Sequence, residues 1–307
     1  MSQDTLIAIG SLMFFMAVGF VLRKCRKMPD SWMAGLNSTV LIVALPAMII
    51  VAFQEDYSPE LGGMLLRMLG WSALCQGAMI GLGWLATLRA GADKKAILRF
   101  TTGFSNAGFI GFPVVAAAFA ADKNQALLYA TMFVAMFHVF AWTLGRSMFD
   151  KSSKSLVGGL RSLLNPTIAA IIIGLVFFYT RVQLPRAIRV PLEGLSGLTT
   201  PLSLIVIGAR LGTIRPRELT SSWAVPAAVV LRQFAAPAIA FAVLWIGGLR
   251  GLPMQVLVLE SAMPVAVFLS MFAERWEGNK ALAAQVVALS TLTACLTIPL
   301  WLWIVQR

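Results

Sequence analysis

Residues 104–115 read FSNAGFIGFPVV and residues 260–270 read ESAMPVAVFLS. Each stretch sets a proline, Pro113 or Pro264, inside a long apolar run. In the first, Gly103, Gly108, Gly111 and Pro113 fall within eleven residues. Proline cannot donate the helical hydrogen bond, and its ring clashes with the preceding turn. Glycine tolerates an unwound backbone. Both runs are therefore expected to be broken helices. In lipid a break is tolerated only where it is buried in protein or lines a polar cavity.

The surrounding chain has the composition such breaks require. Of 307 residues 59% are apolar and 12% charged, with a mean hydropathy of +0.82. Soluble domains run near 45–50% apolar and about 25% charged, so an ordinary cytosolic enzyme, a disordered chain and a disulfide scaffold are excluded. Apolar runs fall at about 5–22, 36–53, 61–87, 96–119, 125–148, 162–180, 192–212, 221–247, 252–273 and 281–305. Each approaches the roughly 20 residues of a membrane span. The expected fold class is an all-α polytopic membrane protein with ten transmembrane helices. The first run is followed, not preceded, by basic residues and lacks a small-residue cleavage site, so it reads as a retained span rather than a signal peptide.

The net charge of +12 gives orientation rather than a nucleic-acid partner. Seventeen of the 25 Lys and Arg lie in the odd-numbered loops, from Arg23–Lys27 through Arg89–Arg99, Arg146–Arg161 and Arg210–Arg217 to Arg275–Lys280. Positive loops stay cytoplasmic, which predicts both termini on the outer, periplasmic side of a bacterial inner membrane. Arg181, Arg186 and Arg189 in the sixth loop run against the bias. The three cysteines are expected to be free thiols, and Trp301 and Trp303 to form an interfacial belt.

The prolines also repeat. Pro46, in LIVALPAMII, and Pro201, in TTPLSLIVIGA, lie 155 residues apart; Pro113 and Pro264 lie 151 apart. Both separations are close to half the chain. Five spans per repeat make the second copy insert upside down, the inverted architecture of secondary transporters. The expected domains are residues 1–150 and 151–307. The plainer alternative is that proline is common in membrane helices.

Helix ends at a break offer N–H groups to anions and C=O groups to cations. Ser105, Asn106, Gly108, Pro113 and Pro264 are thus candidates for a substrate site, against the alternative of a packing kink. Glu260, four residues before Pro264, reads as a carboxyl that takes a proton or helps hold Na⁺. Its alternative is a neutral Glu bonded to its own unwound helix. Arg232, within the eighth span, reads either as a counter-charge for an anionic substrate or Glu260, or as a side chain reaching an interface. His138, the single histidine, reads as a proton relay or, more plainly, as a buried core histidine. No Cys/His cluster has metal spacing, and no nucleotide-binding or hydrolase motif occurs. No cofactor beyond a coupling ion is expected.

With LNSTVLIVALPAMII at 36–50, WTLG at 142–145, NPTIAAIIIGL at 165–175, TTPLSLIVIGARLG at 199–212, AMPVAVFLSMFAERWEGN at 262–279 and STLTACLTIPLWLWI at 290–304, the chain resembles the auxin efflux carrier family, including its bacterial malonate and malate permease-like members. The resemblance covers nearly the whole chain and rests on the order and spacing of these pieces. It implies two inverted five-helix repeats, with broken helices 4 and 9 crossing at their prolines. It implies a dimerising scaffold of helices 1, 2, 6 and 7 and a moving core of helices 3–5 and 8–10. The implied activity is elevator-type transport of a small organic anion. Asn106, Pro113 and Pro264 would stand at the crossing. Glu260 and His138 depart from the family pattern, where a small apolar residue and an amide are expected. The fold is also similar to that of bile acid–sodium symporters, where polar groups on the broken helices hold Na⁺; Ser105, Asn106 and Glu260 would be the oxygen ligands here. The rivals are a sodium symporter of a bile-acid-like anion and a non-transporting membrane sensor.

Overall fold

A computed structural model of the chain describes residues 3–150, 165–213, 222–276 and 278–306. The described residues are helical, with no sheet. Lys151, Lys154, Arg161, Arg215 and Arg217, counted above for orientation, lie outside them, as do the first residues of the expected sixth and eighth spans.

Helix α1 covers Gln3–Lys24, α2 Asp30–Ala52 and α3 Pro59–Ala86. The fourth run is split into α4a (Ala92–Gly103) and α4b (Ala107–Ala118). Then come α5 (Lys123–Gly145), α6 (Pro166–Thr180), α7 (Arg186–Thr213) and α8 (Ala224–Ile246). The ninth run is split into α9a (Leu252–Ser261) and α9b (Phe268–Arg275), and α10 is Lys280–Val305. Six of these, α2, α3, α5, α7, α8 and α10, are long and apolar enough to cross a membrane; α4b, α6 and α9a are apolar but shorter. Helices α2 and α7 begin about six residues before the expected spans. Both starts are polar, led by Asp30 and Arg186, and a hydropathy window passes over them.

Local chemistry sets the helix ends. Asn165 and Asn279 cap α6 and α10, accepting from the Ile168 and Leu282 N–H groups at 3.0 Å, and Pro166 fills the first helical position, where its missing N–H is harmless. Three of the prolines follow a widened turn, whereas Pro191 and Pro299 sit within regular helix. Wide π turns at Val40–Ala44, Ala107–Gly111 and Leu231–Ala235 each end two residues before a proline: Pro46, Pro113 and Pro237. A wider turn relieves the ring clash and the lost hydrogen bond.

The helices gather into two compact units, each drawing on both halves of the sequence. The first comprises Met1–Gly70, Gly108–Ala135 and Leu164–Thr213 and holds α1, α2, α4b, α6 and α7. In it α1 packs along α7 at glycine contacts. A Cβ on Gly19 would strike the Ile205 carbonyl, and one on Gly208 the Met16 carbonyl. Small residues bring helices together where lipid gives no hydrophobic drive.

The second unit comprises Trp71–Ala107, Met136–Leu163 and Ile214–Arg307 and holds most of α3, α4a, the end of α5 and α8–α10. Its centre is aromatic. Phe100 stacks on Phe104 at 4.5 Å and meets Phe272 edge-on at 5.5 Å, while Phe137 meets Phe268 at 5.5 Å. Ala224, Val225 and Ala228 of α8 close this core.

Candidate functional site at the two helix breaks

Both breaks lie in the second unit. Helix α4a stops at Gly103, Phe104 turns extended (φ −123°, ψ 107°), and α4b restarts at Ala107. Ser and Asn compete for backbone hydrogen bonds outside helices, which suits Ser105 and Asn106 to the gap. Helix α9a stops at Ser261, and regular helix resumes at Phe268.

The unwound segments run antiparallel, with Ser105 opposite Val265. The Asn106 N–H donates to the Pro264 carbonyl at 2.7 Å, and the Ala266 N–H to the Phe104 carbonyl at 3.0 Å. Each break thus satisfies polar groups that the other exposes, as a low-dielectric setting demands.

This corrects one expectation. The fourth helix breaks at Phe104–Asn106, seven or more residues before Pro113. Pro113 is buried in the first turn of the α4b segment Phe112–Ala118, where proline is tolerated. Of the residues expected at the crossing, Asn106 and Pro264 are there and Pro113 is not. Gly108 lies in the wide turn after the break, where a Cβ would meet only Val134 Cγ1, at 4.0 Å, an ordinary van der Waals contact.

The polar side chains around the breaks fall into two sets. One set lacks partners. Glu260 is fully buried and neither carboxyl oxygen has a hydrogen-bond partner among the described residues. The Ser105 hydroxyl is likewise buried and unpartnered. His138, 7% exposed, has an unpartnered Nδ1 and its ring lies 5.9 Å from that of Phe268, at the start of α9b. Each such group costs about 1–3 kcal/mol, and such groups concentrate where a ligand or proton is handled.

The other set is engaged, apart from the Arg232 Nε, which is buried without a partner among the described residues. Arg232 is 0% exposed; Nη1 donates to the Thr102 carbonyl at 2.8 Å and Nη2 to the Ser261 carbonyl. Among the described residues no carboxylate lies within 4.0 Å of it. The expected pairing with Glu260 is therefore corrected: the guanidinium is spent on backbone carbonyls. Gln233 beside it donates to the Ser290 carbonyl at 2.6 Å and accepts from Thr297 at 3.1 Å. Trp301 donates to the Gln233 carbonyl at 2.8 Å and is buried, so it is no part of an interfacial belt, whereas Trp303 is partly exposed. The Ser290 hydroxyl accepts from the Val265 N–H at 3.4 Å, tying α10 to the break. Sequence reasoning passed over Gln233 and Ser290. The signal was present: an Arg-Gln pair in mid-span, where a polar side chain must find a partner.

Among the described residues no group of three His, Cys, Asp or Glu is placed to hold a metal. Long apolar helices with two interrupted segments joined backbone to backbone, beside buried unpartnered polar groups, define a membrane transporter of the discontinuous-helix kind. The sequence pattern of the family described as Membrane transport protein matches residues 5–158 and 156–302. The chain belongs to that family, the auxin efflux carriers of the resemblance above, and is a multi-pass membrane transporter. It is 27% identical over 298 residues to an uncharacterized transporter of Methanothermobacter thermautotrophicus, covering 95% of each chain. It is 26% identical over 285 residues to one of Methanocaldococcus jannaschii, covering 88% of each.

Proposed function

We propose that the protein is a secondary active transporter that moves a small organic anion, a dicarboxylate such as malonate or malate, coupled to H⁺ or Na⁺. The observation that carries this reading is the antiparallel joining of Ser105–Asn106 to Pro264–Val265 beside the unpartnered Ser105 hydroxyl and Glu260 carboxyl. Backbone N–H groups, Asn106 and the start of the restarted helix suit an anion near mid-membrane. Glu260 handles the coupling ion, and His138 lies near enough to Phe268 to serve the same path.

Ten spans form two inverted repeats, and transport follows an elevator cycle. Helices 1, 2, 6 and 7 form a dimerising scaffold, and helices 3–5 and 8–10 form the moving core. The composition of the two compact units supports part of this division: α1, α2, α6 and α7 fall together, as do α8–α10 with α4a, while α4b and the first parts of α3 and α5 group with α1, α2, α6 and α7. Both termini face outward from the plasma membrane, by the loop charges. The test is flux of labelled malonate and malate in proteoliposomes. A carrier gives saturable uptake with counterflow; flux that rises linearly with concentration and shows no counterflow contradicts alternating access.

A further inference from the structure

We infer that the Arg232 guanidinium is a built-in cation of the transport core, filling the place at the two helix breaks that a coupling Na⁺ would otherwise take. The inference rests on the carrier reading above and narrows it: the cycle runs without Na⁺.

Breaking a helix strands specific atoms. In an unbroken helix the Thr102 carbonyl would accept from the Asn106 N–H, and the Ser261 carbonyl from the Val265 N–H, four residues on. Here the Asn106 N–H is turned to the Pro264 carbonyl and the Val265 N–H to the Ser290 hydroxyl. The two carbonyls left over occupy equivalent positions in the two breaks. They are the two to which the Arg232 guanidinium donates, one through each terminal nitrogen. The third contact is soft, from Nη2 to Met79 Sδ at 3.6 Å.

The charges balance. A helix C-terminus carries about −0.5 of an elementary charge, so two ends together present about one. A single buried guanidinium meets that amount without any carboxylate. Its planar fork reaches two acceptors at once, which a point charge cannot do with the same geometry. Carbonyl ends of broken helices are also what coordinates Na⁺ in transporters built this way, and Na⁺, a hard cation, seeks oxygen ligands. With both carbonyls occupied by a tethered cation, a free one has lost the two helix-end ligands, and the Ser105 and Glu260 oxygens are left to the substrate and a proton. The neighbouring Thr102 Oγ1 and Ser261 Oγ donate back to the Leu98 and Leu257 carbonyls of their own helices, at 2.9 and 2.8 Å, and take no part in holding the guanidinium.

The test uses the full-length protein, and its first readouts need no substrate. Melting temperature is compared in NaCl and choline chloride at equal ionic strength, beside equilibrium binding of radiolabelled Na⁺. Wild-type protein is expected to bind no Na⁺ and to melt alike in both salts. Arg232→Ala is expected to melt lower and to regain stability with Na⁺ or millimolar guanidinium; Arg232→Lys is expected to stay insensitive. In proteoliposomes wild-type malonate flux is expected to be equal in Na⁺ and choline. Arg232→Ala is expected to lose about tenfold or more and to recover part of it with either cation. Saturable Na⁺ binding by the wild type overturns the inference, as does an Arg232→Ala protein that folds and responds to neither cation. If that variant does not fold, the wild-type Na⁺ readouts and Arg232→Lys decide. Absence of malonate flux in every protein counts against the substrate reading alone, because binding and melting are read without it.

Discussion

The backbone N–H of Asn106 donates to the carbonyl of Pro264 at 2.7 Å, joining two helix breaks that stand 158 residues apart in the chain. The bond replaces a helical one that Asn106 would have made to Thr102, and so frees the carbonyl that Arg232 takes up. One redirected hydrogen bond thus links the two breaks and the buried cation. The chemistry left unsatisfied beside it, at Ser105 and Glu260, is what a substrate or a proton can use.

Ser105→Ala separates function from stability. Its hydroxyl is buried without a partner, so removing it takes away a cost of about 1–3 kcal/mol. The variant is expected to melt at or above the wild-type temperature while malonate uptake falls about tenfold. Wild-type uptake by this variant would remove Ser105 from the site.

Gln233→Leu acts in the opposite sense. The side chain holds the Ser290 carbonyl and the Thr297 hydroxyl in the core behind the break. Losing both bonds is expected to cost about 1–3 kcal/mol, seen as a lower denaturation midpoint in detergent. An unchanged midpoint would mean that the network adds nothing to stability.

Two glycines give a contrast in packing. Gly208→Val drives a side chain into the Met16 backbone carbonyl, and backbone cannot swing aside. Loss of monodisperse protein on size-exclusion chromatography is expected. Gly108→Ala makes only an ordinary contact with Val134 Cγ1 at 4.0 Å and is expected to fold normally, with any effect confined to the KM for the anion.

Orientation is readable at Cys25. It is exposed in the loop after α1, whereas Cys75 is buried and Cys295 half-buried. With that loop cytoplasmic, a membrane-impermeant maleimide is expected to label the protein only after cells are permeabilised. Labelling of intact cells at Cys25 would place the N-terminus inside.

Much of the fold was legible because helices in lipid advertise themselves by length and apolarity. Every expected span coincides, where described, with a helix or a broken pair. The existence of a break in 96–119 was legible from Gly103, Gly108, Gly111 and Pro113. Its position was not, since Pro113 drew attention to a place where the chain is helical. What fixes the break is the pairing with Pro264–Ala266, and no local pattern reports a partner so remote. Arg232 showed the same limit. A charge in mid-span announces that it needs a partner; only the fold shows that the partners are two carbonyls orphaned by the breaks. Trp301 was misread because an aromatic near a chain end looks interfacial until Gln233 is seen beneath it.

Coupled carriage is tested most directly by uptake of labelled malonate and malate into proteoliposomes under an imposed pH gradient, with Glu260→Gln alongside. Because neither carboxyl oxygen holds a partner among the described residues, the neutral amide of Glu260→Gln is expected to leave the fold intact. Accumulation against the substrate gradient by the wild type, lost in Glu260→Gln while counterflow persists, is the expected result. Accumulation by Glu260→Gln equal to wild type and still driven by the pH gradient would contradict the assignment of coupling to the helix breaks.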